Sequence, residues 1–245
     1  AAEIGGHSLA GAVLEPRALD ELLPDWREEK TFDATPVSKD TFKFLTGNKA
    51  LRLPTPPQMY NHGNYIISIG QMCKYLAEKA EQMGIDVLPG FAAQEALVEN
   101  KSVYGVRTGD FGVAKDGSKT EGYTPGPDIH ARITMFSEGC RGHITKSLAG
   151  PLSLDKNRCP QTYAQGLKEV WRVKPENHQE GLVEHTIGFP LDSKTYGGGW
   201  IYHLDDNKVS IGFVVALDYE DPNLMPTNLM QKFKEHPQVA KLLEG

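Results

Sequence analysis

Three glycine-rich stretches hold the residues whose types and spacing could do chemistry. Ser137-Glu138-Gly139-Cys140-Arg141-Gly142 lies between an apolar run and a helix-forming run. At a strand-to-helix turn, small residues let backbone N–H groups approach an anionic or polyhydroxyl ligand. The helix N-terminus favours negative charge there, and Glu138 can accept from a hydroxyl. A tight turn needing glycine for positive φ accounts for the same letters. The opening Gly5-Gly6-His7-Ser8, with Gly11 after it, has no bulk except His7, so a cofactor could lie close against it. Three glycines in Thr195-Tyr196-Gly197-Gly198-Gly199-Trp200 would be costly in a plain strand. Two readings stand: backbone carbonyls exposed to a ligand between flat walls of Tyr196 and Trp200, or a hairpin turn.

Other chemistries are not indicated. His62, His185 and His203 show no HxH or HExxH spacing, so a metal site is not expected. No serine stands in GxSxG, and the full dinucleotide fingerprint GxGxxG is absent from the sequence. Cys73, Cys140 and Cys159 are an odd number, widely spaced and without CxxC, which argues against a disulfide framework or zinc ribbon and for a reducing compartment.

The elements that must position these stretches read as an α/β order. Leu19, Leu22, Leu23 and Trp26 fit a short amphipathic helix that Pro24 kinks or ends. From Tyr65 to Gly84, Ile69, Met72, Cys73, Leu76, Ala80 and Met83 fall on one helical face, and Gly84 sits where a helix C-terminal glycine belongs. Strand, turn and strand follow from Ile85 to Asp110, then a long surface hairpin over 111–127. Ile129, Ile133, Met135 and Phe136 predict a strand running into the Ser137–Gly142 turn. QTYAQGLKEVWRV, LVEHTIGFPL, GGGWIYHL and KVSIGFVVAL predict a meander, and the last 25 or so residues a helix. Between Thr41 and Tyr60, Phe42, Phe44, Leu45, Leu51 and Leu53 interleave with Lys43, Lys49 and Arg52. Such a segment can lie in a headgroup layer or fold back on its own core.

With 26 Lys+Arg against 32 Asp+Glu, the net charge is −6, which excludes a nucleic-acid binder by bulk charge. The 245 residues, 39% of them hydrophobic, suffice for one large domain or two small ones. No apolar run approaches the ~20 residues of a membrane span, and no secretory leader is expected.

GGHSLAGAVLEPRAL, NHGNYIISIGQMCKYLAEKAEQMGIDVLPGFAA, FSEGCRGH, PQTYAQGLKEVW, HTIGFPLDSKTYGGGWIYHL and IGFVVALDYEDPNLMP, in this order, resemble the electron transfer flavoprotein-ubiquinone oxidoreductases. The resemblance implies a membrane-surface enzyme that passes electrons from reduced electron transfer flavoprotein to ubiquinone through FAD and a [4Fe-4S] cluster. It implies location at the mitochondrial inner membrane or the bacterial cytoplasmic membrane. The implied fold is mixed α/β: parts of a glutathione-reductase-like FAD domain over 1–40 and 66–150, a membrane-facing segment over 41–65, and a ubiquinone-binding domain over 151–245. By the same resemblance, Gly5, Gly6, His7, Ser8, Gly11, Glu138 and Gly139 meet FAD. Tyr196, Gly197 and Gly198 meet the quinone, and Phe42, Phe44, Leu45, Leu51 and Leu53 face the membrane. The missing GxGxxG and the three scattered cysteines, against the four thiolates that a [4Fe-4S] cluster takes, imply an internal fragment. FixC-like or geranylgeranyl-reductase-like flavoproteins and a non-catalytic quinone- or lipid-binding module are the alternatives.

Overall fold

A computed structural model describes residues 3–244. The chain begins β1 (Ala10–Leu14), α1 (Arg17–Leu22), α2 (Trp26–Glu29), β2 (Ala34–Pro36), β3 (Lys39–Leu45), β4 (Ala50–Leu53), β5 (Tyr65–Ser68) and α3 (Ile69–Gln82). Next come β6 (Ala93–Glu99), β7 (Ser102–Thr108), β8 (Phe111–Val113), β9 (Lys119–Thr124), β10 (Asp128–His130) and α4 (Ile144–Leu152). The last part holds β11 (Ala164–Arg172), β12 (Leu182–Gly188), β13 (Gly197–His203), β14 (Lys208–Ala216), α5 (Pro226–Glu235) and α6 (Pro237–Leu243). Two compact units result: residues 3–87 with 161–244, and Leu88–Pro160.

The first unit is built on a six-stranded mixed sheet of order β11-β14-β13-β12-β3-β4. All its pairings are antiparallel except β12 with β3. Side chains alternate across a strand, so one register gives two chemically distinct faces. One face presents Leu45, Ile201, Val209, Ile211, Phe213 and Val215, which form a core with Leu229, Met230 and Phe233 of α5 and Val239 of α6. Lys43 and Glu184 make an ion pair among that face's strands, and the Thr41 hydroxyl donates to Glu184 at 3.1 Å. A second, three-stranded sheet β1-β5-β2 packs Ile66 and Val13 against Val183 and Tyr202, covering part of the opposite face. Ile67, Trp26, Phe32, Tyr75 and Leu19 form the core beneath α1, α2 and α3.

The second unit holds the β6–β7 hairpin with β10 on its other edge, the β8–β9 hairpin, and α4 packed through Ile144 and Leu148 on Ala96.

Several expectations are corrected by these partners. Tyr65–Ser68 is a strand rather than the first helical turn, because it is the centre of the β1-β5-β2 sheet; Ser68 then caps α3 by accepting from the Gln71 N–H. The helix buries Tyr75, while Met83, expected on the buried face, lies beyond the helix and is 69% exposed. Ile133, Met135 and Phe136 do not extend β10. Its pairing with β7 reaches only from Arg107 to Gly105, and Ile133 and Met135 are left exposed. The meander holds for β12, β13 and β14, but β11 joins β14 rather than β12. Gly197, Gly198 and Gly199 lie inside β13 and not in a turn. No helix of the described residues is long and apolar enough to cross a membrane.

Candidate functional site

On the sheet face opposite α5, the register sets Leu53, Phe42, His185, Trp200, Gly212 and Lys168 side by side across all six strands. A neighbouring row begins Leu51, Phe44, Ile187. This aromatic surface narrows at the β13 start into a cavity of about 350 Å³. Phe44, Ile187, Leu191, Thr195, Tyr196 and Gly197 are among the residues lining it. Asp192 shapes the rim by accepting from the backbone N–H of Lys194 at 3.0 Å and of Thr195 at 2.8 Å. Those bonds, with the Thr195 hydroxyl first, hold its carboxyl below the usual range. An adjoining cavity of about 640 Å³ carries Asp192, Lys194, Asp218, Glu220, Asp221 and Lys232. Its charged lining suits a polar partner; the smaller cavity shares Asp192 and Lys194 with it but adds Phe44 and Ile187, an apolar wall for a planar carbonyl ligand.

Packing explains each glycine of the motif. A Cβ at Gly197 would stand 2.2 Å from the Val214 carbonyl oxygen, at Gly198 2.3 Å from the Thr186 carbonyl oxygen, and at Gly199 2.4 Å from Phe233 Cζ. Only glycine lets β13 run this close to β12, β14 and α5. Tyr196 projects from the rim, 79% exposed. Trp200, expected as the facing wall, packs over Gly212 instead, where a Cβ would meet its ring at 2.0 Å. Tyr196 and Trp200 therefore do not form one slot.

Beside Trp200, His185 Nε2 lies 2.9 Å from the Tyr202 hydroxyl. Burial lowers the His185 pKa and, with Asp40 nearby, raises that of Tyr202 to about 12, so both are neutral at pH 7. On the core face, burial takes His203 down to about 4, with further lowering from His178 and Lys43.

The glycine-rich run Gly5–Gly11 is fixed by two close approaches. A Cβ on Gly5 would fall 2.3 Å from the Gly70 carbonyl oxygen at the start of α3, and one on Gly11 2.0 Å from Ser210 Oγ. These two glycines are thus required by the protein's own packing, while Gly6, His7 and Ser8 stand exposed. From β11, Lys168 Nζ donates to the carbonyls of Leu9 at 3.0 Å and Gly11 at 3.4 Å.

In the second unit, Glu138 has a different role from the expected one. One carboxylate oxygen accepts from the N–H groups of His143 (3.1 Å) and Ile144 (2.9 Å). The other accepts from the N–H of Thr145 (2.8 Å) and its hydroxyl (2.7 Å). A carboxylate has about four acceptor sites, so the start of α4 takes them all and none is left for a ligand hydroxyl. These bonds pull its pKa down to about 2. Gly139, at φ +79°, has open space where a Cβ would be, so its glycine serves the turn and leaves the backbone approachable.

The expected membrane-facing set divides. Phe42, Phe44, Leu51 and Leu53 share the open face, with Phe44 and Leu51 exposed. Leu45 is buried in the α5 core, 2% exposed, because an odd step along a strand changes face. Cys73 is half-buried, Cys140 and Cys159 are exposed, and the described residues hold no cluster of three His, Cys, Asp or Glu fit for a metal ion. The sequence reading missed Lys168 and the His185–Tyr202 pair. Alternation in Val183-Glu184-His185-Thr186-Ile187 puts His185 on the Ile187 face, but which strands flank it depends on the β3–β12 pairing.

Residues 163–245 match the family described as ETF-QO, ubiquinone-binding. The electron transfer flavoprotein-ubiquinone oxidoreductase of Dictyostelium discoideum is 51% identical over 99% of this chain and 40% of its own length. That of Pseudomonas aeruginosa is 47% identical over 99% of this chain and 45% of its own length. Among solved structures, a geranylgeranyl bacteriochlorophyll reductase-like protein from Thermoplasma acidophilum aligns with TM-score 0.67 at 17% identity, over 98% of this chain and 55% of that one. The FAD-dependent chondrochloren halogenase of a myxobacterium aligns with TM-score 0.55 at 16%, over 99% and 49%. At such identities these structures show the shared mixed α/β fold alone. The chain spans about two fifths of the length of the curated relatives it matches. Over that stretch, the chain is similar to the electron transfer flavoprotein-ubiquinone oxidoreductases at 47–51% identity.

Proposed function

We propose that the chain forms the quinone-side portion of a flavoprotein that takes electrons from electron transfer flavoprotein and delivers them to ubiquinone. The observation that carries this reading is the β13 start: Tyr196-Gly197 opens on a cavity with Phe44, Ile187 and Leu191 in its wall, inside the stretch matching the ubiquinone-binding family. The ubiquinone ring lies between Phe44, Ile187 and Leu191, and the backbone at Gly197 and Gly198 meets its carbonyl. Exposed Phe44 and Leu51 beside the mouth suit an isoprenoid tail drawn from a lipid surface, which favours a peripheral position on a mitochondrial inner or bacterial cytoplasmic membrane.

FAD supplies the two-electron chemistry when bound. The residues of the first unit that fit it are the exposed Gly6, His7 and Ser8, on a run whose flanking glycines pack closely on the protein itself. Glu138 does not fit that role, since its acceptors are filled. A [4Fe-4S] cluster takes four thiolates, so the three cysteines of this sequence cannot hold one alone.

The test is Ile187→Trp in the intact flavoprotein, which adds bulk to the apolar wall of the cavity. A KM for a short-chain ubiquinone raised tenfold or more, with flavin reduction by electron transfer flavoprotein unchanged, is the expected result. An unchanged KM overturns the quinone assignment.

A further inference from the structure

Lys168 has the surroundings of a cation kept for a ligand. It stands on the open face of the six-stranded sheet, in register with Gly212, over which the Trp200 ring packs. Its ammonium has three N–H donors, and two go to the Leu9 and Gly11 carbonyls. Among the described residues no carboxylate pairs with it. The other shielded lysines are different: Lys43 is paired with Glu184, Lys79 with Glu29 and Lys234 with Glu169. Burial disfavours the charged form of Lys168 and lowers its pKa. Lys168 is part-buried, and a partly desolvated ammonium without a counter-ion gains from a negative partner.

The run that it grips is tied at its end by the pairing of Ala10 and Ala12 with β5, and Gly5 and Gly11 pack closely on Gly70 and Ser210. The third donor therefore stays beside Leu9 and Gly11, at the end of the run that continues from the exposed Gly6-His7-Ser8. We propose that Lys168 is the counter-charge for the electron-accepting ring of a flavin lying along this run, its free N–H meeting the ring edge that gains negative charge on reduction. This rests on the flavin reading above. A cation at that edge binds the reduced ring more tightly than the oxidised one and so raises its potential.

The experiment compares Lys168→Met, Lys168→Arg and wild type in the intact flavoprotein, measuring FAD affinity, flavin midpoint potential and amide exchange over residues 5–11. In Lys168→Met the preference for reduced over oxidised flavin is expected to fall about tenfold, a shift of about 30 mV for a two-electron couple. Lys168→Arg is expected to retain most of the preference. An unchanged potential in Lys168→Met, with FAD bound, overturns the assignment and leaves the flavin reading intact. Faster exchange of the run with equal loss of affinity in both redox states reduces Lys168 to a loop anchor and also overturns it. If Lys168→Met does not fold, Lys168→Gln and Lys168→Arg are compared by the same potential measurement. Wild type that binds no FAD overturns the flavin reading, and this assignment with it.

Discussion

Gly199→Ala should destabilise the protein only while Phe233 is present. A Cβ at Gly199 would lie 2.4 Å from Phe233 Cζ and 2.8 Å from each Cε, so the ring must retreat by about 1 Å to reach ordinary contact. Phe233 is fully buried and its ring sits 5.3 Å from that of Phe213, which leaves no space for the move. Overpacking of this kind costs about 1–3 kcal/mol. Loss of unfolded-chain entropy on replacing glycine by alanine returns about 0.4–1 kcal/mol, because Gly199 does not need positive φ. The net cost is about 1–2 kcal/mol, or a Tm lower by about 2–8 °C for a chain of this size. In a Phe233→Leu background the ring tip is gone, so Gly199→Ala becomes neutral or slightly stabilising, a coupling of about 1–3 kcal/mol. Thermal melts of the four proteins give the cycle. Equal Tm losses in both backgrounds, or none in either, would refute the packing account and point to a ligand as the reason for the glycine.

Two further outcomes are expected. The folded pKa of Glu138, near 2 against 4.5 for a free side chain, means that its support for α4 is full above pH 4.5 and fades as pH falls towards 2. Protection of the Ile144 and Thr145 amides should follow that window in wild type and be low throughout in Glu138→Gln; a flat wild-type profile refutes the capping role. Leu45→Ser should cost about 3 kcal/mol through core loss, whereas Phe44→Ser with Leu51→Ser should change stability by no more than about 1 kcal/mol and weaken co-sedimentation with anionic vesicles. Unchanged pelleting of the double variant would remove the lipid-facing role.

Local pattern was enough to read β11 to β14 and the β6–β7 hairpin, because their alternation and turn residues act over a few positions. Gly84 also takes the expected helix-ending place, at φ +79°, with the Ile85 N–H bonded back to the Ala80 carbonyl. What the sequence could not convey depends on distant partners. The letters of Thr41 to Leu53 fit a lipid layer as well as a sheet, and only β12 decides that Lys43 and Leu45 turn inward. Ile133 and Met135 have strand chemistry but no partner beyond Gly105. Glu138 reads as a ligand acceptor in the sequence, but the start of α4, six and seven residues on, takes its oxygens.

The parallel β3–β12 pairing has a consequence for biosynthesis. Thr41 and Glu184, hydrogen-bonded across it, are 143 positions apart. At a synthesis rate of about 5–20 residues per second, the β3–β4 hairpin waits roughly 7–30 s for its neighbour. During that time β3 presents a bare edge bearing Phe42 and Phe44, and a lone hairpin is marginal in water. The intervening unit, Leu88–Pro160, lies wholly between the two strands in the chain and can fold meanwhile. The large sheet is thus closed late, by C-terminal strands capturing an N-terminal hairpin. A chain cut short before Gly188 would release a sticky apolar hairpin, not a smaller version of the fold.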